Sequence, residues 1–202
     1  MKLLHIDSSI LGSASVSRQI SAAIVETLKG EIPGLTIVSH DLAADPIAHL
    51  SGAYLAGQSA DVKHDQALQE DLELGGKALA EFLEADIVVV GVPMYNFAVP
   101  SQLKSWVDRV VVAGKTFHYT AAGAEGLVHG KRMILAVSRG GMYEGLPAKA
   151  VEHQESWLRS IFGFIGVKDI QVIRAEGIAH GPEQREIALK AALAQAATLQ
   201  PA

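Results

Sequence analysis

Apolar positions along the chain follow two alternating patterns. The clearest is the unbroken run Ile87-Val88-Val89-Val90, followed by Gly91, Val92 and Pro93. β-Branched residues without alternation read as a strand buried on both faces, the usual state of a central strand in a parallel sheet. Shorter apolar runs at Lys2–Asp7, Leu35–His40, Arg132–Val137 and Ile170–Arg174 predict four further strands. Between them, apolar residues recur at helical spacing. This predicts helices over Val16–Leu28, over His64–Glu84 with Leu68, Leu72, Leu79 and Leu83 toward the sheet, and over Pro100–Val112 with Leu103, Trp106, Val107 and Val110 inward. Trp106 reads as a core anchor. Two more helices are predicted over Val151–Gly163 and Pro182–Leu199, the last opened by Gly181-Pro182-Glu183. The stretch Asp41–Lys63 is long for a connector, has room for a short helix, and at that length implies function or an interface. Gly114–Gly130, with Phe117, His118 and Tyr119, reads as an excursion out of the sheet. The whole predicts one domain over residues 1–202: an α/β, doubly wound, five-stranded parallel sheet with helices on both faces; in one of the common orders of such a sheet, 2-1-3-4-5, the ends of strands one, three and four are neighbours.

In such a sheet ligands bind at the carboxyl ends of the strands. Three of those ends carry unusual residues. After strand one, Ser8 to Ser17 holds five serines and a glycine at a strand-to-helix turn, hydroxyls and amides around the positive end of a helix dipole. That arrangement receives a phosphate; the alternative is that Ser15 or Ser17 simply caps the helix. No Walker lysine and no G-x-G-x-x-G follows. After strand three, Pro93 stops the pairing and delivers Met94, Tyr95, Asn96 and Phe97, a set suited to lie against a flat apolar ring and hydrogen-bond its polar edge. After strand four come Ser138, Arg139, Gly140 and Gly141, where paired glycines either let a planar ligand approach free amides or only make a tight turn. One phosphate seat, one aromatic strip and one glycine edge match flavin mononucleotide (FMN).

Composition narrows the classes. The net charge of −5 argues against nucleic acid or an anionic membrane as a partner. The N-terminal apolar patch is too short for a signal peptide and no run long enough for membrane insertion occurs, so the expected location is the cytoplasm. With no cysteine in the chain, redox chemistry must belong to a bound cofactor. The eight histidines are scattered and predict no metal site. A serine hydrolase with Ser8 or Ser9 as nucleophile lacks G-x-S-x-G. A second alternative is an electron-carrier protein with no small-molecule acceptor.

Pro93-Met94-Tyr95-Asn96-Phe97, Ser138-Arg139-Gly140-Gly141 and Glu176-Gly177-Ile178-Ala179-His180-Gly181-Pro182-Glu183, in this order and spacing, resemble the FMN-dependent azoreductases, also described as NADH:quinone oxidoreductases. Asp41-Leu42-Ala43-Ala44-Asp45-Pro46 and Thr116-Phe117-His118-Tyr119-Thr120 extend the resemblance over essentially the whole chain. It implies a flavodoxin-like fold, tightly bound FMN, NADH or NADPH as a transient donor, a quinone or azo acceptor, and a homodimer with each flavin near the subunit interface. It also implies that Ser9, Ser15, Val16 and Ser17 hold the phosphate, that Met94, Tyr95, Asn96 and Phe97 lie along the ring system, and that Ser138, Arg139, Gly140 and Gly141 meet its pyrimidine edge. Phe97, Phe117 and Tyr119 are the candidates for lining the acceptor pocket, the alternative being that they are ordinary core aromatics. No protein group is expected to act as a general acid. The chain departs from relatives at His180, where many carry tyrosine, and around Ile161, near the family's variable substrate pocket.

Overall fold

The computed structural model describes residues 1–59, 62–145 and 147–201. Its central sheet is parallel throughout, in the order β2-β1-β3-β6-β7, formed by β1 (Lys2–Asp7), β2 (Thr36–Asp41), β3 (Ile87–Pro93), β6 (Arg132–Ser138) and β7 (Asp169–Ala175). This is the expected order 2-1-3-4-5, because β4 (Phe117–Thr120) and β5 (Gly123–Gly126) pair only with each other as an antiparallel hairpin. The excursion predicted for Gly114–Gly130 is that hairpin.

Every residue of β3 is buried. Its odd and even positions enter different cores. Val88, Val90 and Val92 join Leu103 and Trp106 of α4 (Ser101–Val110), Phe82 of α3 (Gln66–Glu84), and Leu158 and Phe162 of α5 (Glu155–Phe164). Ile87 and Val89 join Ile20, Ile24 and Leu28 of α1 (Val16–Glu31) with Ala192 and Ala196 of α6 (Pro182–Ala196). Trp106 is 1% exposed and meets Phe82 edge-on at 5.8 Å, the anchor its spacing predicts.

Two helices differ from the periodicity reading. In α3 the buried positions are Gly75, Ala78 and Phe82, whereas Leu83 is exposed. The stripe turns because Tyr54, on α2 (Gly52–Gly57), lays its phenol against the bare face of Gly75, where an added Cβ would lie 2.1 Å from the hydroxyl. The helix expected from Val151 begins at Glu155. The Glu152 carboxylate accepts from the amides of Gln154, Glu155 and Ser156 (2.7, 2.7 and 3.2 Å), which caps the helix there and leaves Ala148–Val151 as a single 3₁₀ turn. The long Asp41–Lys63 stretch does contain a short helix, α2; its residues Ala60 and Asp61 lie outside the described residues.

Candidate functional site

Three strand-to-helix turns meet on the carboxyl rim of the sheet. The first follows β1. Ser8 is buried, its hydroxyl donating to the Gly91 carbonyl at 2.7 Å, so it serves the sheet. Ser9 faces the other way: its Oγ lies 3.3 Å from the Tyr95 hydroxyl, which also accepts from the Ile10 amide at 3.3 Å. Ser15 caps α1, its Oγ accepting from the Arg18 amide, and shares a 3.0 Å hydrogen bond with the Ser17 hydroxyl. The amides of Val16 and Ser17 have no partner among the described residues. The two readings of this turn are therefore compatible, with one serine capping and two amides still presented at the positive end of the helix.

The second turn follows β3. Tyr95 and Ala98 exchange backbone hydrogen bonds at 3.0 and 3.1 Å across a tight turn whose central residues, Asn96 and Phe97, have φ of 48° and 69°. Asparagine tolerates that region, whereas a phenylalanine there is strained by about 1–3 kcal/mol. The turn is held from outside by the His153 amide, which donates to the Phe97 carbonyl at 2.9 Å, and by an edge-on contact of the Phe97 and Tyr143 rings at 6.4 Å. Half of the Phe97 surface remains exposed. A strained, externally braced turn that presents a phenyl ring to solvent is the kind of feature found at ligand sites.

The third turn follows β6 and joins the second through the Met94 amide, which donates to the Ser138 carbonyl at 2.8 Å. Gly140 and Gly141 keep their amides unpaired among the described residues, while their carbonyls accept from Ala179 and Gly177 at 3.1 and 2.9 Å. Arg139 corrects the sequence reading. Its side chain is 3% exposed and wholly engaged with protein groups, donating Nε to Gln154 at 2.9 Å and Nη1 to Glu176 at 2.6 Å, with Nη2 3.2 Å from both Glu152 and Glu155. Its backbone amide is spent on the Ala175 carbonyl. Arg139 thus braces the turn from behind. Glu176 completes the brace by accepting from the Tyr143 amide at 3.1 Å, and Gln154 Nε2 donates to the Val92 carbonyl at 2.8 Å, tying β3 to the same network.

The same network carries the largest electrostatic perturbation. Burial opposes charge on Glu155, but hydrogen bonds from Arg174 (2.6 and 2.7 Å) and Arg159 (2.8 Å) outweigh it and hold the carboxyl at about 2 instead of 4.5. A carboxylate lowered on folding stabilises the fold above its ordinary pKa and loses that contribution as the pH falls toward the folded value. The Glu155 side chain is 11% exposed, but its partners Arg159 and Arg174 are 44% and 32% exposed, so solvent screening of the pairs reduces the expected size to about 1–2 kcal/mol. Urea midpoints measured from pH 5 down to pH 2 should therefore fall more steeply for the native chain than for Glu155→Gln.

Phe117 and Tyr119 are not brought to these turns within one chain. Gln154 fixes the start of α5 at the carboxyl end of β3, while Phe117 packs on Phe164 (4.8 Å) at the far end of that helix, about 15 Å away. Phe117 is a core residue at 8% exposure, so only Tyr119, at 77%, is free to line anything. Beside Phe97 the surface offers instead an apolar groove of about 590 Å³ lined by Ala98, Val99, Trp157 and the stem of Lys104. No cluster of metal-ligating side chains and no Ser–His pair involving Ser8 or Ser9 occurs among the described residues. Arg18, Tyr143 and Gln154 gave no signal in the sequence, and Glu176 appeared there only as the first residue of a motif, since each acts through a partner that folding brings near.

A family profile described as a flavodoxin-like fold matches residues 1–199. An FMN-dependent NADH:quinone oxidoreductase of Methylorubrum extorquens (strain PA1) is 56% identical over 203 residues, covering 100% of both chains. The chain belongs to this flavodoxin-like family. Among solved structures, an FMN-dependent NADH-azoreductase from Bacillus anthracis str. Ames Ancestor, in complex with FMN, superposes with a TM-score of 0.88 at 28% identity, covering 99% of each chain. An azoreductase from Bacillus anthracis str. Sterne does so at 0.86 and 30%, covering 98% of this chain and 97% of the other. Within this family fold the three turns occupy the strand ends at which ligands bind. No helix among the described residues is long and apolar enough to cross a membrane.

Proposed function

We propose that this protein is an FMN-dependent oxidoreductase that takes two electrons from NADH or NADPH and delivers them to a quinone or azo acceptor. The observation that carries the reading is the convergence of the three turns, joined by the Ser9–Tyr95 and Met94–Ser138 hydrogen bonds into one rim. Relatives over the full length of the chain are named for this activity.

The residues present fit the cofactor. Ser9, Ser15, Ser17 and the free amides of Val16 and Ser17 would hold the phosphate at the positive end of α1. Met94, Tyr95, Asn96 and Phe97 would line the ring system, the last two from the turn with φ of 48° and 69°. Ser138 and the unpaired amides of Gly140 and Gly141 would face the pyrimidine edge, and Arg139 would serve by bracing them. FMN, when bound, supplies the hydride-accepting and hydride-donating chemistry. Two oriented amides offer donors where negative charge gathers on reduction, and their orientation is fixed beforehand by the Arg139–Glu176 brace. The lack of a G-x-G-x-x-G fingerprint in the sequence fits a nicotinamide that visits and leaves before the acceptor arrives, a ping-pong order.

The proposed unit is a single domain over residues 1–202 that acts as a homodimer in the cytoplasm, where nicotinamide nucleotides are maintained. Dimerisation is supported by the long Asp41–Lys63 stretch and by Tyr119, which one chain leaves exposed and remote from its own turns. A second copy could offer Tyr119 to the groove beside Phe97.

Anaerobic titration of the purified protein with each pyridine nucleotide, followed by flavin absorbance, tests the function. Bleaching by the nucleotide alone and recolouring by a quinone are expected; bleaching only with a partner reductase present would favour an electron carrier. The glycine edge has its own test. An added Cβ at Gly140 would meet only the Ala179 Cβ at an ordinary 3.4 Å, so Gly140→Ala should leave thermal stability within about 0.5 kcal/mol. It should nevertheless weaken FMN retention about tenfold, roughly the cost of one displaced hydrogen-bonding group. Equilibrium dialysis checks the second figure and a melting curve the first.

A further inference from the structure

We propose that Arg18 is the positioning residue of the phosphate seat: by holding the Ser9 carbonyl it keeps that oxygen turned away from the anion and sets the Ser9–Ile10 peptide plane. This rests on the FMN reading above. The Arg18 guanidinium lies in the first turn of α1, behind the rim, at 17% side-chain exposure. It donates Nε and Nη2 to the Ser9 carbonyl at 3.2 and 2.7 Å. In a trans peptide the carbonyl and the following N–H point in opposite directions. Drawing the Ser9 oxygen back onto Arg18 therefore turns the Ile10 amide forward, where it donates to the Tyr95 hydroxyl at 3.3 Å. That hydroxyl is also 3.3 Å from Ser9 Oγ. One guanidinium thus orients both the first turn and its contact with the second.

The guanidinium is itself aimed by the strand ends. Nη2 donates to Asp41 Oδ1 at 2.5 Å, and Nη1 is 3.9 Å from Asp7 Oδ2. Asp41 Oδ1 also accepts from the Ala43 and Ala44 amides at 3.0 and 3.3 Å, so it is anchored in the turn after β2. The hydrogen bond between them raises Arg18 and lowers Asp41 from their ordinary pKa values, so both stay charged across the working pH range. Two carboxylates beside one guanidinium leave little net positive charge to attract a phosphate. The contribution of Arg18 is therefore geometric, and a planar fork is required. Spacing alone gives no sign of it: Arg18 follows the serines as an ordinary first-turn residue.

The test equilibrates full-length protein with FMN and, separately, with riboflavin, which lacks the phosphate, and reads binding by flavin fluorescence. The native chain should prefer FMN. Arg18→Met should lose about tenfold in FMN affinity and less than about twofold in riboflavin affinity, and Arg18→Lys, which keeps the charge but not the fork, should lose most of the same factor. Equal loss for both flavins would mean a merely structural role and overturn the proposal. So would unchanged FMN affinity in Arg18→Met, or full retention in Arg18→Lys. Should the Arg18 variants fail to fold, Asp41→Asn keeps the acceptor but removes its charge and should cost about threefold for FMN alone; no change there overturns the proposal as well. A native chain that binds FMN and riboflavin equally would instead count against the phosphate seat itself.

Discussion

Replacing Arg139 by methionine is expected to destabilise the protein by about 3–5 kcal/mol, the range for breaking a buried ion pair from one side. The guanidinium is 3% exposed and lies among Glu152, Glu155 and Glu176. Methionine matches the length of the stem but leaves Glu176, whose side chain is 10% exposed, without its cation. It also leaves Gln154 Oε1 without the donor it meets at 2.9 Å. Urea denaturation at neutral pH measures the loss. Two features of the variant should identify the cause. Acidification that protonates carboxylates should narrow the gap to the native chain, because the uncompensated charge is then removed. FMN retention should fall in parallel with stability, because Glu176 also holds the Tyr143 amide and thereby the far side of the glycine turn.

Gly91→Ala is the second large effect, expected at about 2–4 kcal/mol from overpacking plus one broken buried hydrogen bond. Gly91 sits in β3 between Val90 and Val92, on the face toward α1. An added Cβ would lie 2.2 Å from Asp7 Oδ1, 3.1 Å from Ser21 Oγ and 3.4 Å from the Ser17 carbonyl. Asp7 cannot yield freely, since that oxygen accepts from Ser21 at 2.8 Å and its other oxygen is 3.5 Å from His5 Nε2 and 3.9 Å from Arg18 Nη1. Displacing it disturbs the floor of the first turn, so FMN affinity should fall as well. A double-mutant cycle with Asp7→Ala checks the mechanism. The pair should cost markedly less than the sum of the single changes, because the shortened side chain vacates the space the methyl needs.

The five strands and their parallel sense were legible because their signals are local, and the order followed as one of the common arrangements of a doubly wound sheet. A short, unbroken β-branched run bounded by Gly91 and Pro93 reads as a strand buried on both faces, and helical spacing between such runs implies crossovers that make the strands parallel. The turns after strands one, three and four could be located for the same reason, from Pro93, the paired glycines and the clustered serines. What periodicity could not supply was the direction of each side chain. Leu83 fits a stripe as well as Phe82 does, and only the Tyr54 phenol lying on Gly75 decides between them. Phe117 and Tyr119 share one face of a strand, their rings 5.5 Å apart, yet Phe117 enters the core by packing on Phe164 whereas Tyr119, one step farther along, meets solvent.

Chain chemistry alone, then, determined a doubly wound α/β sheet with three chemically loaded strand ends, since element type and turn position follow from neighbours a few residues apart. Tertiary structure decided which groups those ends present. Arg139 faces inward because Glu176, 37 residues on, is there to receive it, and Arg18 turns onto Ser9 because Asp41, 23 residues on, aims it. Charges that must be paired to be buried take their orientation from partners that only folding brings near.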